Sequence, residues 1–135
     1  HMVVTALARS GLDLSIHVNI GSHFPALISA TGRCIAAQRN WDRKELAGRF
    51  KDLRWQNPPS FEVWLEEIEA ARRNGFAIDD GNYIRGIIIV AAPITQPPGA
   101  PSRAIVAVGV TGQLDAGQRQ TLAQKLRAAA DSLAA

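Results

Sequence analysis

The sequence predicts an α+β domain, a largely antiparallel sheet with helices packed on it. Three observations carry this. The periodic segments run strands, helices, strands, helix. Ile87 to Ala92 is an unbroken apolar run, as expected of a strand buried on both faces. Phe61, Trp64, Leu65, Ile68 and Ala71 fall at helical spacing and make one buried face. At 135 residues the chain is one domain, large enough to bury a core without disulfides or metal.

Val3 to Ala8 and Leu14 to Ile20 read as two strands joined by Arg9-Ser10-Gly11. In the second, Leu14, Ile16, Val18 and Ile20 alternate with Ser15, His17 and Asn19. Gly21 to Pro25 is a turn. Ser29 to Gln38 is a short helix with Ser29 or Thr31 near its cap. Asp42 followed by Glu45 resembles a capping box and starts a helix to about Phe50. Asn57-Pro58-Pro59 breaks the chain, and Ser60 caps a helix from Phe61 to Arg73. Its acids come early and Arg72-Arg73 late, as the helix dipole prefers. Asn74-Gly75 stops that helix, because glycine accepts the left-handed conformation after a last turn. Phe76 to Ile78 is a strand, Asp79-Asp80-Gly81-Asn82 a tight turn, and Ile87 to Ile94 a strand. Thr95 to Ser102 is a proline-rich loop and Arg103 to Thr111 a strand. Asp115 caps a last helix with the stripe Leu122, Leu126, Ala129 and Leu133.

Hydrophobic residues make up 47% of the chain, charged residues 20%, and the net charge is +3. That suits a globular chain with room for an acidic ligand, and demands no nucleic acid. The single Cys34 leaves no internal disulfide and fits a reducing compartment, so a cytoplasmic protein is expected. His17, His23 and Cys34 lack zinc spacing. No apolar run is long enough to span a membrane, and no secretory signal pattern occurs. His precedes Met at the start, so residues 1–2 read as a cloning scar and residues 3–135 as the domain.

Several residues invite chemistry. Cys34 is a candidate nucleophile if His17 or His23 lies nearby, against the plainer reading of a small apolar residue inside a helix. Asp79 and Asp80 form a candidate carboxylate pair, against ordinary turn chemistry. Ser29 to Cys34 places small residues at a helix start, where free N–H groups and the helix dipole can hold a carboxylate. Between Arg33 and Arg54 lie seven Lys or Arg and three acids, read as a solvated helical face. Trp64 belongs to the core, whereas Trp41 and Trp55 cover the core or a partner. No metal site, phosphate loop or catalytic triad is visible.

Two blocks resemble the effector-binding domain of the IclR family of bacterial transcription regulators. One is VNIGSHFPALISATGRCIAA, Val18 to Ala37, with its strand, Gly-x-x-x-Pro turn and small-residue segment leading into a helix. The other is RRNGFAIDDGNYIRGIIIVAAPI, Arg72 to Ile94. Ile105 to Gly112, IVAVGVTG, is similar to the family's next strand. The resemblance spans nearly the whole chain.

The resemblance implies a GAF-like fold, a curved antiparallel sheet with helices on its faces, here lacking the family's first strand and linker helix. It implies a small organic or aromatic acid as effector and a homodimer or homotetramer. Operator DNA would be bound only through a winged helix-turn-helix domain that this sequence does not contain. By position it assigns the pocket to Ala30, Thr31 and Gly32, to Asp79 and Ile89, and to Gly109 and Thr111. Ile16 and Ile20 add to the wall, and Thr111 offers Asp79 a hydroxyl. No catalytic residue, metal or cofactor is implied. The competing readings are a Cys34-dependent enzyme on the same scaffold and an oligomerisation module with no ligand.

Overall fold

A computed structural model of the chain describes residues 2–6 and 23–134. Strand β1 (Met2–Val3) pairs antiparallel with β2 (His23–Phe24). Helices α1 (Ser29–Gln38), α2 (Arg43–Lys51) and α3 (Phe61–Asn74) follow. Strands β3 (Ala77–Asp80), β4 (Ile87–Ile94) and β5 (Arg103–Val110) form an antiparallel sheet in the order β3-β4-β5. Helix α4 (Ala116–Ser132) ends the chain. This is the α+β architecture expected. Of the predicted strand Val3–Ala8 only Val3 is in a strand: Val4, Thr5 and Ala6 fall in none, residues 7–8 lie outside the described residues, and so does the whole predicted strand Leu14–Ile20.

Strand β4 explains why its sequence is apolar without alternation. Ile88, Val90, Ala92 and Ile94 face α4, packing with Ala123, Leu126 and Ala130. Ile89 and Ala91 point the other way, into a cluster with Ala30, Cys34, Ala71 and Ala77. Helices on both faces leave this strand no solvated side. A third cluster, around Trp64 and Ile68, joins α1, α2 and α3. Trp64 is fully enclosed, and Trp41 and Trp55 pack partly buried at the cluster's margin.

The helix ends follow local chemistry. The Ser60 hydroxyl accepts from the Val63 N–H, and Gly75 closes α3 at φ 77. Asp115 and Gln118 make a complete capping box on α4. At α2 only half the box forms: Asp42 accepts the Glu45 N–H, while Glu45 turns to Arg49. The cap expected of Ser29 or Thr31 does not form. Ile28 is the N-cap of α1 and makes no side-chain cap bond.

Two boundaries move, and one buried stripe differs. Strand β3 runs through Asp79 and Asp80, so the turn starts at Gly81, whose φ is 79. Cross-strand pairing with Ile89 and Ile88 holds those two carboxylates in the ladder. Strand β5 stops at Val110, before Thr111. On α4 the buried stripe is Ala123, Leu126 and Ala130, and Leu133 is 49% exposed as the C-cap.

Candidate functional site

Pleating sends neighbouring side chains to opposite faces of a sheet. Asp79 therefore faces α1 and Asp80 faces α4. Asp79 Oδ1 accepts the Asn82 N–H at 2.7 Å, and Oδ1 and Oδ2 share the Tyr83 N–H at 3.3 and 3.2 Å. These bonds shape the β3–β4 turn from within. Asp79 Oδ2 also lies 3.4 Å from Arg33 Nη1, and both side chains are 0% exposed.

Arg33 is the centre of this cluster. Its Nη2 donates to Asn82 Oδ1 at 2.9 Å, and its Nε sits 2.8 Å from Glu67 Oε2 on α3. Its Cζ lies 5.5 Å from the centroid of the Trp55 ring. Nε and Nη1 nonetheless have no hydrogen-bond acceptor: the carboxylates lie close but off the N–H directions. Burial pushes the Glu67 carboxyl above the usual range, against the opposing pull of Arg33. The loop after α2 closes over the turn. Gln56 N–H donates to the Tyr83 carbonyl at 3.1 Å and Asn57 N–H to the Asn82 carbonyl at 3.0 Å.

The structure brings some expected site residues together. Ala30, Asp79 and Ile89 are all buried on the α1 face of the sheet, and Ala30 and Ile89 pack in one cluster. Thr31 follows Ala30 and is half-buried. A Cβ on Gly32 would meet the Leu27 carbonyl carbon at 2.0 Å, so α1 can pass this loop only with glycine there. Gly32 N–H already serves the Ile28 carbonyl at 2.9 Å. The N–H groups of the first turn ahead of it lack intrahelical acceptors, as at any helix start. Ser29 opens this turn at φ 61, a left-handed conformation rare outside glycine.

Other expected residues fall elsewhere. Gly109 pairs with Ile88 and so belongs to the α4 face. The Thr111 hydroxyl donates to Asp80 Oδ1 at 3.0 Å, and not to Asp79. Asp80 Oδ2 is 2.7 Å from Arg119 Nη1 on α4. Gly109 and Thr111 thus lie on the opposite side of the sheet from Asp79, since in a strand one residue changes the face. The residue opposite Ile89 is Val108, and opposite Ala91 is Val106. Both valines are exposed, by 39% and 41%. Ile16 and Ile20 lie outside the described residues.

Sequence reasoning missed Arg33, Glu67, Asn82 and Val108. Arg33 is 0% exposed, not part of a solvated basic face. A signal was present: α1 reads SATGRCIAAQ, apolar or small almost all round, and such a helix is buried on every side. Cys34 is 1% exposed, and its Sγ lies 3.5 Å from the Ala91 carbonyl oxygen. Burial pushes its thiol up to about 12, so it holds almost no thiolate near neutrality. Among the described residues no cluster of His, Cys, Asp and Glu has the makings of a metal site. No helix is long and apolar enough to cross a membrane. Two shallow hollows lie elsewhere: about 460 Å³ beside Gln118 and Leu122, and about 670 Å³ beside Trp41 and Gly48.

The model of the bacterial transcriptional regulator IclR C-terminal family matches residues 1–135. Solved structures share the fold. The repressor BlcR of Agobacterium tumefaciens is 25% identical, with a TM-score of 0.72 over 87% of this chain and 48% of that one. The IclR of Thermotoga maritima is 21% identical, with a TM-score of 0.75 over 93% of this chain and 52% of that one. The inducer-binding domain of Acinetobacter PobR, a double mutant bound to 3-hydroxybenzoic acid, is 19% identical. Its TM-score is 0.65 over 90% of this chain and 73% of that one. The chain spans about half the length of the BlcR and Thermotoga maritima structures. No curated protein matches it. The chain belongs to the IclR family of bacterial transcriptional regulators and corresponds to their C-terminal, effector-binding domain.

Proposed function

We propose that this domain senses a small organic or aromatic acid on the α1 face of its sheet. Binding there modulates DNA binding by a winged-helix domain of the whole regulator. The site comprises Ala30, Thr31 and Gly32 at the start of α1, Asp79, Ile89, and Val108 beside Ile89 on β5. The observation that carries this reading is the enclosed Asp79–Arg33 pair beside the apolar cluster of Ala30, Cys34, Ala77 and Ile89. A few fixed polar groups in apolar surroundings is how small-molecule sites are usually built. The 3-hydroxybenzoic acid of the PobR structure supports an aromatic acid as one candidate.

Regulation requires that the acid bind two arrangements of a dimer or tetramer with different affinity. A melting-temperature screen of aliphatic and aromatic carboxylates, including 3-hydroxybenzoate, tests the reading. A true ligand raises Tm with concentration by mass action. Thr31→Val should reduce that rise. If no carboxylate shifts Tm, the domain is not an acid sensor.

A second reading is an oligomerisation module without a ligand. The exposed Val106 and Val108 on β5 favour it. It predicts self-association unaffected by any acid, which sedimentation with and without the best hit decides.

A further inference from the structure

Arg33 is the one buried cation among the described residues, and its hydrogen bonding is incomplete. We propose that Arg33 anchors the carboxylate of a monocarboxylic acid ligand, and that Glu67 occupies this anchor as an internal stand-in until the ligand arrives. The inference rests on the effector reading above and names the group that recognises the acid.

Three observations carry it. The Arg33 side chain is 0% exposed, yet Nε and Nη1 lack acceptors in line with their N–H bonds. A guanidinium presents a planar fork that suits the two oxygens of a carboxylate, and here its donors are held by Glu67 and Asp79 through charge with poor hydrogen-bond alignment. The two acids beside it differ in freedom. Asp79 is 0% exposed and tied to the Asn82 and Tyr83 N–H groups. Glu67 is 31% exposed and reaches Arg33 from α3 at the edge of the cluster. It can swing out without disturbing the fold. Finally, Trp55 packs its ring by the guanidinium, and its own Nε1–H is buried with no acceptor. That donor belongs to the ring that packs against the guanidinium.

Charge sets the ligand class. One guanidinium faces Asp79 and Glu67, so an entering carboxylate meets net repulsion until Glu67 leaves or takes a proton. Fixed Asp79 then balances Arg33 in part, which disfavours a second negative charge on the ligand. A monocarboxylate fits this better than a dicarboxylate or a phosphate. Three charged groups bear on Glu67: Arg33 from α1, Asp79 from β3, and Glu66 beside it on α3. Cys34 stays a neutral thiol, with its pKa pushed up to about 12. Binding should therefore tighten as pH is lowered through the range where the upward-shifted Glu67 gains its proton.

The experiment is benzoate titration of the 135-residue chain and its Glu67→Gln variant by calorimetry, across that pH range. Glu67→Gln keeps the side-chain shape and removes the competing charge. It should bind benzoate about tenfold more tightly and lose the wild-type pH dependence. Arg33→Met should abolish binding; should it fail to fold, the Glu67→Gln comparison decides alone. Equal or weaker binding by Glu67→Gln, with wild-type binding intact, overturns this inference and leaves the effector reading standing. If benzoate and the other screened acids bind neither protein, both fall together.

Discussion

Asp79 Oδ2 lies 3.4 Å from Arg33 Nη1, and both side chains are fully enclosed. The pair pins the end of β3 to the second turn of α1. It holds together the two segments between which an acid would sit. Removing one partner of a buried pair leaves the other charged and unsolvated, which typically costs about 3–5 kcal/mol.

Asp79→Ala should therefore be among the most damaging single changes. It strands Arg33 and orphans the Asn82 N–H at once. A loss of about 3–5 kcal/mol is expected in chemical denaturation. Asp79→Asn retains an acceptor for the turn and should cost less. A loss below about 1 kcal/mol for Asp79→Ala would mean the pair is poorly formed in solution.

Gly32→Ala tests the packing of the α1 start. The added methyl would sit 2.0 Å from the Leu27 carbonyl, which is backbone and cannot turn aside. Helix propensity alone favours alanine by about 1 kcal/mol. The clash should reverse that sign and lower Tm by several degrees or abolish folding. Gly48→Ala, with open space around its Cβ, is the control and should be neutral or stabilising.

These two residues show what the sequence carries and what it does not. Helices α3 and α4 were legible because their caps are local chemistry: Ser60, Gly75 and Asp115 act within a few residues. Strand β4 was legible because burial on both faces removes polar residues from the sequence itself. The face assigned to β5 was not. Gly109 and Val108 differ by one residue, and only the register with β4 tells which of them meets Ile89. Arg33 was read by its charge, as surface. Its burial depends on Asp79, Glu67 and Asn82, which are 34 to 49 positions away and brought together by tertiary structure.

Cys34 gives a prediction about reactivity. Its thiol is buried and raised from 9.0 to about 12 by loss of solvation. A raised folded-state pKa means the neutral thiol favours folding below pH 9.0 and that this contribution fades as pH rises through about 12. At neutral pH the folded chain should resist a maleimide or disulfide reagent, and the denatured chain should take up one equivalent at its single cysteine. Rapid labelling of the folded chain would restore the nucleophile reading.

The two faces of the sheet can be separated by mutation. Val108 shares the α1 face with Ile89, whereas Thr111 bonds Asp80 on the α4 face. Val108→Phe adds bulk beside the proposed site while keeping an apolar strand residue. Thr111→Val removes one exposed hydroxyl bond, a change worth at most about 1 kcal/mol. For a carboxylate that raises the melting temperature of the wild type, Val108→Phe should cut the rise by more than half. Thr111→Val should leave it within experimental error. The opposite ranking would move the acid to the α4 face, among Asp80, Thr111 and Arg119. That face offers an acid a less enclosed cation, since the Arg119 side chain is 27% exposed and already engaged by Asp80. Arg33 is fully enclosed, so once Glu67 has left it its charge acts on a carboxylate with less solvent screening than that of Arg119.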